Sequence, residues 1–239
     1  MSIVIESHKG IEVLRDDLLS GGTKSVLLKN ILDTTYDEFV YPSPVYGAAQ
    51  IALSSYCKSI GKRATIFCAK RKKLHPNTQR CLDLGANVVE IPYGYLHVVQ
   101  YHAKNYCEEN GAMLLPFGFD TEESKNLIAN RTKEIISQLG YEPDEIWCAL
   151  GSGVLMEGII RGTTTSKIKA VQVGKEYNIG IRQFEEGFNR LEILKHKLPF
   201  EKSTKFKSDF PSTPNYDLKA WEMCVQNRGE GKILFWNVF

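Results

Sequence analysis

The chain has 239 residues, 43% of them hydrophobic and 24% charged, with a formal net charge of +2. That length can bury a full core, as one large domain or two small ones, and the composition is that of a soluble globular protein. So small a charge excludes any global electrostatic draw towards nucleic acid or a membrane surface. No apolar run approaches the roughly 20 residues that span a bilayer, and no signal peptide is found, so no membrane partner and a cytoplasmic location are expected.

In chain order, short apolar runs alternate with amphipathic runs of helix length. Strands are expected at 11–14, 38–41, 64–69, 87–91, 112–115, 145–150 and 168–173, with a last one at 232–236. Helices are expected at 24–32, 44–60, 76–84, 96–109, 122–139, 155–161 and 216–227. Each helix can cross over between parallel strands, which predicts an α/β fold with a mainly parallel sheet. Gly61, Gly85, Gly111 and Gly140 follow four of these helices, where a left-handed residue ends a helix. From 174 to 214 the pattern loosens to one amphipathic stretch, 181–194, and a lysine-rich loop.

The stretch Arg15-Asp16-Asp17-Leu18-Leu19-Ser20-Gly21-Gly22-Thr23-Lys24 organises the rest. Two glycines open backbone angles closed to other residues and let a flat ligand approach the main chain. A lysine just beyond them sits at the mouth of a helix, on a rigid element. Lysines lose their proton readily when buried, and a neutral amine is what imine chemistry needs. The bland alternative is a turn followed by a solvated lysine, with Asp16 and Asp17 as turn-stabilising acids.

Further on, Ser43 reads as an N-cap and Pro44 as the first residue of the long second helix, which predicts free amides and a positive dipole end suited to a carboxylate or phosphate. Glu145 to Leu150 then meets Gly151-Ser152-Gly153, with a helix behind it. A strand, a tight turn and a helix start make a phosphate cradle from backbone amides and one hydroxyl. It has neither the Walker sequence nor the dinucleotide spacing.

The six cysteines are scattered and several lie in apolar runs, the pattern of reduced, buried thiols. His75, His97, His102 and His196 lack metal-ligand spacing, so no metal is expected. Tyr93 and Tyr95 read as surface packing, and Phe117-Gly118-Phe119 as either a hinge between lobes or an aromatic wall of the site.

Three pieces in order carry a resemblance: Asp-Asp-Leu-Leu-x-Gly-Gly-x-Lys, the strand-Gly-Ser-Gly-helix, and Tyr216-Asp217-Leu218-Lys219-Ala220 followed by Gly231-Lys232-Ile233-Leu234-Phe235. Together they resemble the fold-type II pyridoxal-phosphate enzymes (the tryptophan synthase β-like fold), nearest the D-cysteine desulfhydrase and aminocyclopropane-carboxylate deaminase branch. The resemblance implies two lobes of mainly parallel twisted sheet flanked by helices, a larger one from 1–38 and 118–239 and a smaller one at 39–117. It implies that Lys24 carries pyridoxal 5'-phosphate as an aldimine, and that Gly151, Ser152 and Gly153 with the amides of Val154 and Leu155 hold its phosphate. Tyr216 matches a tyrosine near the cofactor face, and the helix opening at Ser43, with Tyr46 and Gln50, matches the element that receives the substrate. Elimination, replacement, racemisation, deamination or decarboxylation at the α-carbon of an amino-acid-like or aminoacyl substrate would follow, in a homodimer.

Two departures stand out. The family's asparagine at the start of the helix after the lysine is absent from Ser43-Pro44-Val45-Tyr46-Gly47-Ala48-Ala49-Gln50, where Gln50 is one turn late. The family's C-terminal hydroxyl residue facing the pyridine nitrogen is also missing, leaving Asn237 as the nearby polar candidate. The region 173–214 is short for the family, so the site would admit something bulkier than a free amino acid, such as an amino group carried on a nucleotide or DNA base, with the basic run Lys70, Arg71, Lys72 and Lys73 to meet it. The alternatives are a degenerate relative with a binding or regulatory role and no catalysis, or a phosphate-binding α/β protein in which Lys24 is only an electrostatic contact.

Overall fold

The computed structural model describes residues 2–92, 94–174, 176–180 and 185–239; Tyr93 and the first part of the stretch expected at 181–194 lie outside the described residues. In chain order the strands are β1 (Ile5–His8), β2 (Ile11–Arg15), β3 (Glu38–Pro42), β4 (Arg63–Ala69), β5 (Asn87–Ile91), β6 (Met113–Leu114), β7 (Glu145–Leu150), β8 (Lys167–Gln172), β9 (Leu191–Lys195) and β10 (Ile233–Asn237). The helices are α1 (Lys24–Ile31), α2 (Ala49–Ser59), α3 (Pro76–Asp83), α4 (Leu96–Asn110), α5 (Glu122–Leu139), α6 (Val154–Gly162) and α7 (Asp217–Asn227). Among the described residues no helix is long and apolar enough to cross a membrane.

The chain divides into two compact units, Met1–Leu18 with Asp120–Phe239, and Leu19–Phe119. The expected lobes placed residues 19–38 with the chain ends, whereas this division places them, Lys24 included, with Leu19–Phe119. The local reason is packing: α1 lies on α2, and a Cβ on Gly21 would come within 2.5 Å of the Ala52 backbone. The double glycine therefore lets one stretch of protein close on another.

The first unit is a six-stranded sheet in the order β1-β2-β10-β7-β8-β9, parallel except for the β1–β2 hairpin. Its central strands are buried throughout, so β7 and β10 read as continuous apolar runs. Trp147, Trp221, Phe235 and Ile11 form the core between this sheet and α7. In the same unit α5 and α6 approach each other closely through small residues. A Cβ on Gly158 would lie 2.5 Å from Ile128 Cγ2 and 2.9 Å from the Lys125 carbonyl. Gly158→Ala should therefore destabilise the chain by about 1–3 kcal/mol through overpacking, more than the roughly 1 kcal/mol that alanine adds in helix propensity. Denaturant unfolding of the variant checks this, and an unchanged or raised midpoint would contradict it.

The second unit is a four-stranded, fully parallel sheet in the order β5-β4-β3-β6. Val40, Phe67, Val99 and Ala103 pack beneath α4. Gly111 and Gly140 end α4 and α5 in the left-handed region, as their positions in the sequence led us to expect. All six cysteines are buried and unpaired.

One element differs from expectation in a way that bears on the site. The second helix starts at Ala49, not Pro44, and Ser43 is not its cap. Ser43 is buried; its amide donates to the Phe67 carbonyl at 2.8 Å and its hydroxyl to the Pro44 carbonyl at 2.9 Å. Pro44 and Gly47 close a turn through the Gly47 amide. The Gln50 amide nitrogen then reaches the carbonyls of Val45 at 3.0 Å and Gly47 at 2.9 Å, satisfying acceptors that a longer helix would have bonded itself.

Candidate active site

Lys24, Ser43, Tyr46 and Gln50 belong to the second unit; Gly151, Ser152, Gly153, Val154, Leu155, Tyr216 and Asn237 belong to the first.

Lys24 opens α1 and is half-buried. Its Nζ donates to the Gly118 carbonyl at 2.7 Å and sits 5.3 Å from the Phe119 ring centroid. Phe117–Phe119 is a single tight turn in which Gly118 has φ +70° and Phe119 has φ +59°. A bulky residue in the left-handed region is uncommon and often marks a functional site. The Gly118 amide in turn donates to the Tyr41 hydroxyl at 3.1 Å, and burial pushes the Tyr41 pKa up to about 12, so this hydroxyl keeps its proton. The Phe-Gly-Phe stretch is therefore the seat of the lysine amine. Tyr41 lies at the end of β3 next to the loop 43–48, which brings that loop and the amine to the C-terminal edge of one sheet, the edge where open α/β sheets bind ligands.

Within that loop Tyr46 is half-buried, with the Arg71 guanidinium 5.1 Å from its ring centroid and the His75 ring at 4.8 Å. The Asn77 side chain donates to the Tyr46 carbonyl at 3.1 Å. Gln50 is wholly buried and turned towards the loop's carbonyls.

In the first unit the turn 151–153 leaves the C-terminal end of β7 and runs into α6, with Gly153 at φ +97°. The amides of Val154 and Leu155 open the helix and have no acceptor within it. Side chains are excluded here on both sides. A Cβ on Gly151 would lie 2.5 Å from the Tyr216 hydroxyl, and one on Gly153 would overlap the Tyr177 ring. Tyr216 thus packs on the turn from the start of α7.

Asn237 ends β10, fully buried, and donates from Nδ2 to the Pro211 carbonyl at 2.8 Å. Its Oδ1 has no hydrogen-bond partner among the described residues, and neither has Oδ1 of Asp217. Asp217 accepts the Phe239 amide at 3.1 Å through its other oxygen. Burial raises its pKa well above the ordinary carboxylate value, against the pull of backbone amides from Val238 and Phe239. Two buried oxygens without hydrogen-bond partners among the described residues call for an explanation. Asp217 is visible in the sequence only as a member of the Tyr216 motif, and Tyr177 carries no signal at all.

Taken unit by unit, the first offers a side-chain-free turn with helix amides suited to a phosphate and unmatched buried polar atoms nearby, and the second offers a seated lysine amine suited to a carbonyl carbon. Residues 37–218 match the family model described as pyridoxal-phosphate dependent enzyme. A glycyl-dTMP PLP-dependent decarboxylase of Pseudomonas phage M6 is 23% identical over 220 residues, covering 78% of this chain and 76% of the phage protein. An ACC deaminase homologue superposes with a TM-score of 0.81 at 17% identity, covering 95% of this chain and 83% of its own. A threonine deaminase from T.th. gives 0.70 at 14% identity, with 96% and 87% covered. The chain belongs to the family of pyridoxal-phosphate-dependent enzymes.

Proposed function

We propose that this enzyme holds its cofactor through Lys24 and acts at the α-carbon of an amino acid carried on a nucleotide, removing the carboxylate as carbon dioxide. The observation that carries the reading is the seating of the Lys24 amine on Gly118 at the same sheet edge as the loop 43–48. The relative that decarboxylates glycyl-dTMP supports the substrate class.

When bound, pyridoxal phosphate supplies a conjugated ring that draws electrons from a bond at the substrate's α-carbon. The chain's residues do the rest. Gly151, Ser152, Gly153 and the amides of Val154 and Leu155 hold the phosphate, and Tyr216 braces the turn. Asp217, keeping its proton, would donate to the ring nitrogen, and Asn237 would stand beside it with its Nδ2 committed to the Pro211 carbonyl. The loop 43–48, positioned by Gln50 and not by a Ser43 cap, receives the substrate, with Ser43 shaping its first bend and Tyr46 on its open side. Arg71, over Tyr46, and the exposed Lys70, Lys72 and Lys73 meet the nucleotide phosphate. As the bond to the carboxylate breaks and carbon dioxide leaves, Lys24 Nζ delivers a proton to the α-carbon. A homodimer in the cytoplasm goes with this reading, and sedimentation of the purified chain tests the first part.

The test follows carbon dioxide and ammonia release in parallel from glycyl-dTMP, glycine, D-cysteine and aminocyclopropane carboxylate with the cofactor-loaded enzyme, decarboxylation giving the first and deamination the second. Carbon dioxide release from glycyl-dTMP alone supports the proposal. Ammonia release from the free amino acids with glycyl-dTMP inert would move the assignment to the deaminase-like branch. Gly151→Val, whose side chain would collide with the Tyr216 hydroxyl, should weaken cofactor affinity by about 100-fold, as expected for losing roughly 3 kcal/mol of charge-assisted hydrogen bonds. Titration of the apoenzyme followed by absorbance measures it.

A further inference from the structure

The loop after β8 carries a tyrosine that is fastened far more firmly than loop packing requires. Tyr177 is half-buried between exposed neighbours, Glu176 and Asn178. Its amide donates to Gln172 Oε1 at 2.9 Å, and the Gln172 side-chain nitrogen reaches the Leu150 carbonyl at 3.4 Å, immediately before the phosphate turn. Its hydroxyl donates at 2.8 Å to Glu157 Oε1, in the first turn of α6. The ring lies so close over Gly153 that only glycine fits beneath it, Cδ2 being 3.1 Å from where a Cβ would stand.

Glu157 is an unexpected residue for that place. A buried carboxylate one turn into a helix that binds a phosphate dianion repels the ligand it sits beside. The structure offsets this with Lys125, itself buried, at 3.0 Å from Glu157 Oε2 and 3.1 Å from Asp120. Burial works against the Lys125 charge, but its bonds to Glu157 and Asp120 hold its pKa above the ordinary value. A buried ion pair is costly to assemble and adds little net stability. Its visible result is a fixed Tyr177 ring.

We propose that Tyr177 is a positioning residue that covers the phosphate turn, held there by the Glu157–Lys125 pair, and that it excludes water from the bonds between the turn and the cofactor phosphate. The inference rests on the assignment of the phosphate to residues 151–155. Hydrogen bonds to an anion strengthen when water is kept from them, so the cover should act on release of the cofactor.

The experiment measures pyridoxal 5'-phosphate dissociation from the full-length holoenzyme by fluorescence after dilution, and equilibrium binding of pyridoxal, which lacks the phosphate. Tyr177→Ala should release pyridoxal 5'-phosphate about tenfold faster and leave pyridoxal affinity unchanged, while Tyr177→Phe, which keeps the ring but loses its bond to Glu157, should fall between, at about threefold faster than wild type. If the alanine chain does not fold, Tyr177→Leu replaces it with the same expectation. Equal effects on both ligands, or no effect on either, would overturn the role of Tyr177 alone. A wild-type protein that binds both ligands equally would overturn the phosphate assignment and this inference with it.

Discussion

Lys24→Ala should lower turnover at least ~10³-fold, the scale of losing a positioned proton-transfer group, and abolish the absorbance of a lysine-bound cofactor. The wild-type chain treated with borohydride should carry pyridoxyl mass on the Lys24 peptide. Lys24 is half-buried at the first position of α1 and is not part of the buried core, so the variant should remain folded. Lys24→Arg is the sharper control, because it keeps the charge on Gly118 and Phe119 but cannot act as the amine. The rival is Lys219. It is wholly buried, and burial lowers its pKa, which favours a neutral amine. Its Nζ, however, is tied to the carbonyls of Pro199 at 2.7 Å and Leu198 at 3.4 Å, where it pins a loop. Pyridoxyl mass on Lys219 in the wild-type protein would remove Lys24 from the reaction.

What the sequence makes legible is local. Lys24, the Gly-Ser-Gly turn and most strands and helices depend on residues adjacent in the chain, and 87–91, 122–139 and 145–150 appear with the expected bounds. Two strands do not show. Ile5–His8 is joined to Ile11–Arg15 by Lys9 and Gly10, both with positive φ, the geometry of a tight hairpin. Lysine in place of the usual Asn or Asp hides that turn. Leu191–Lys195 is an edge strand, largely exposed, so no alternation of burial distinguishes it from an amphipathic helix. The second helix is expected to start too early because Ser43-Pro44 fits a cap, while the deciding contacts come from the Gln50 amide and the Phe67 carbonyl. The roles of Gly118, Tyr177 and Asp217 rest on partners 94, 20 and 22 residues away, which periodicity cannot register.

Asp217 offers the second large effect, and its sign follows from linkage. In the unfolded chain the carboxyl loses its proton near the ordinary value of 3.8, whereas burial keeps it protonated in the folded chain to a much higher pH. Between those two values the unfolded state binds fewer protons. This group's contribution is therefore fully present below the unfolded value and is lost by about 1.4 kcal/mol per pH unit as pH rises towards the folded one. Other carboxylates act in the opposite direction: backbone and side-chain donors from residues 164–166 overcome burial and hold Glu142 at about 2, so its contribution is lost only on acidification. The wild-type curve mixes these, and the difference from Asp217→Asn isolates the one group. Asparagine keeps an acceptor for the Phe239 amide and cannot ionise. The variant's thermal midpoint should exceed the wild type's at about pH 8 and the gap should close as the pH falls towards 4. Parallel curves across that range would show that Asp217 is ionised in the folded chain. In that case it could not donate a proton to a ring nitrogen and could serve one only as an acceptor, so the nitrogen would have to carry the proton itself.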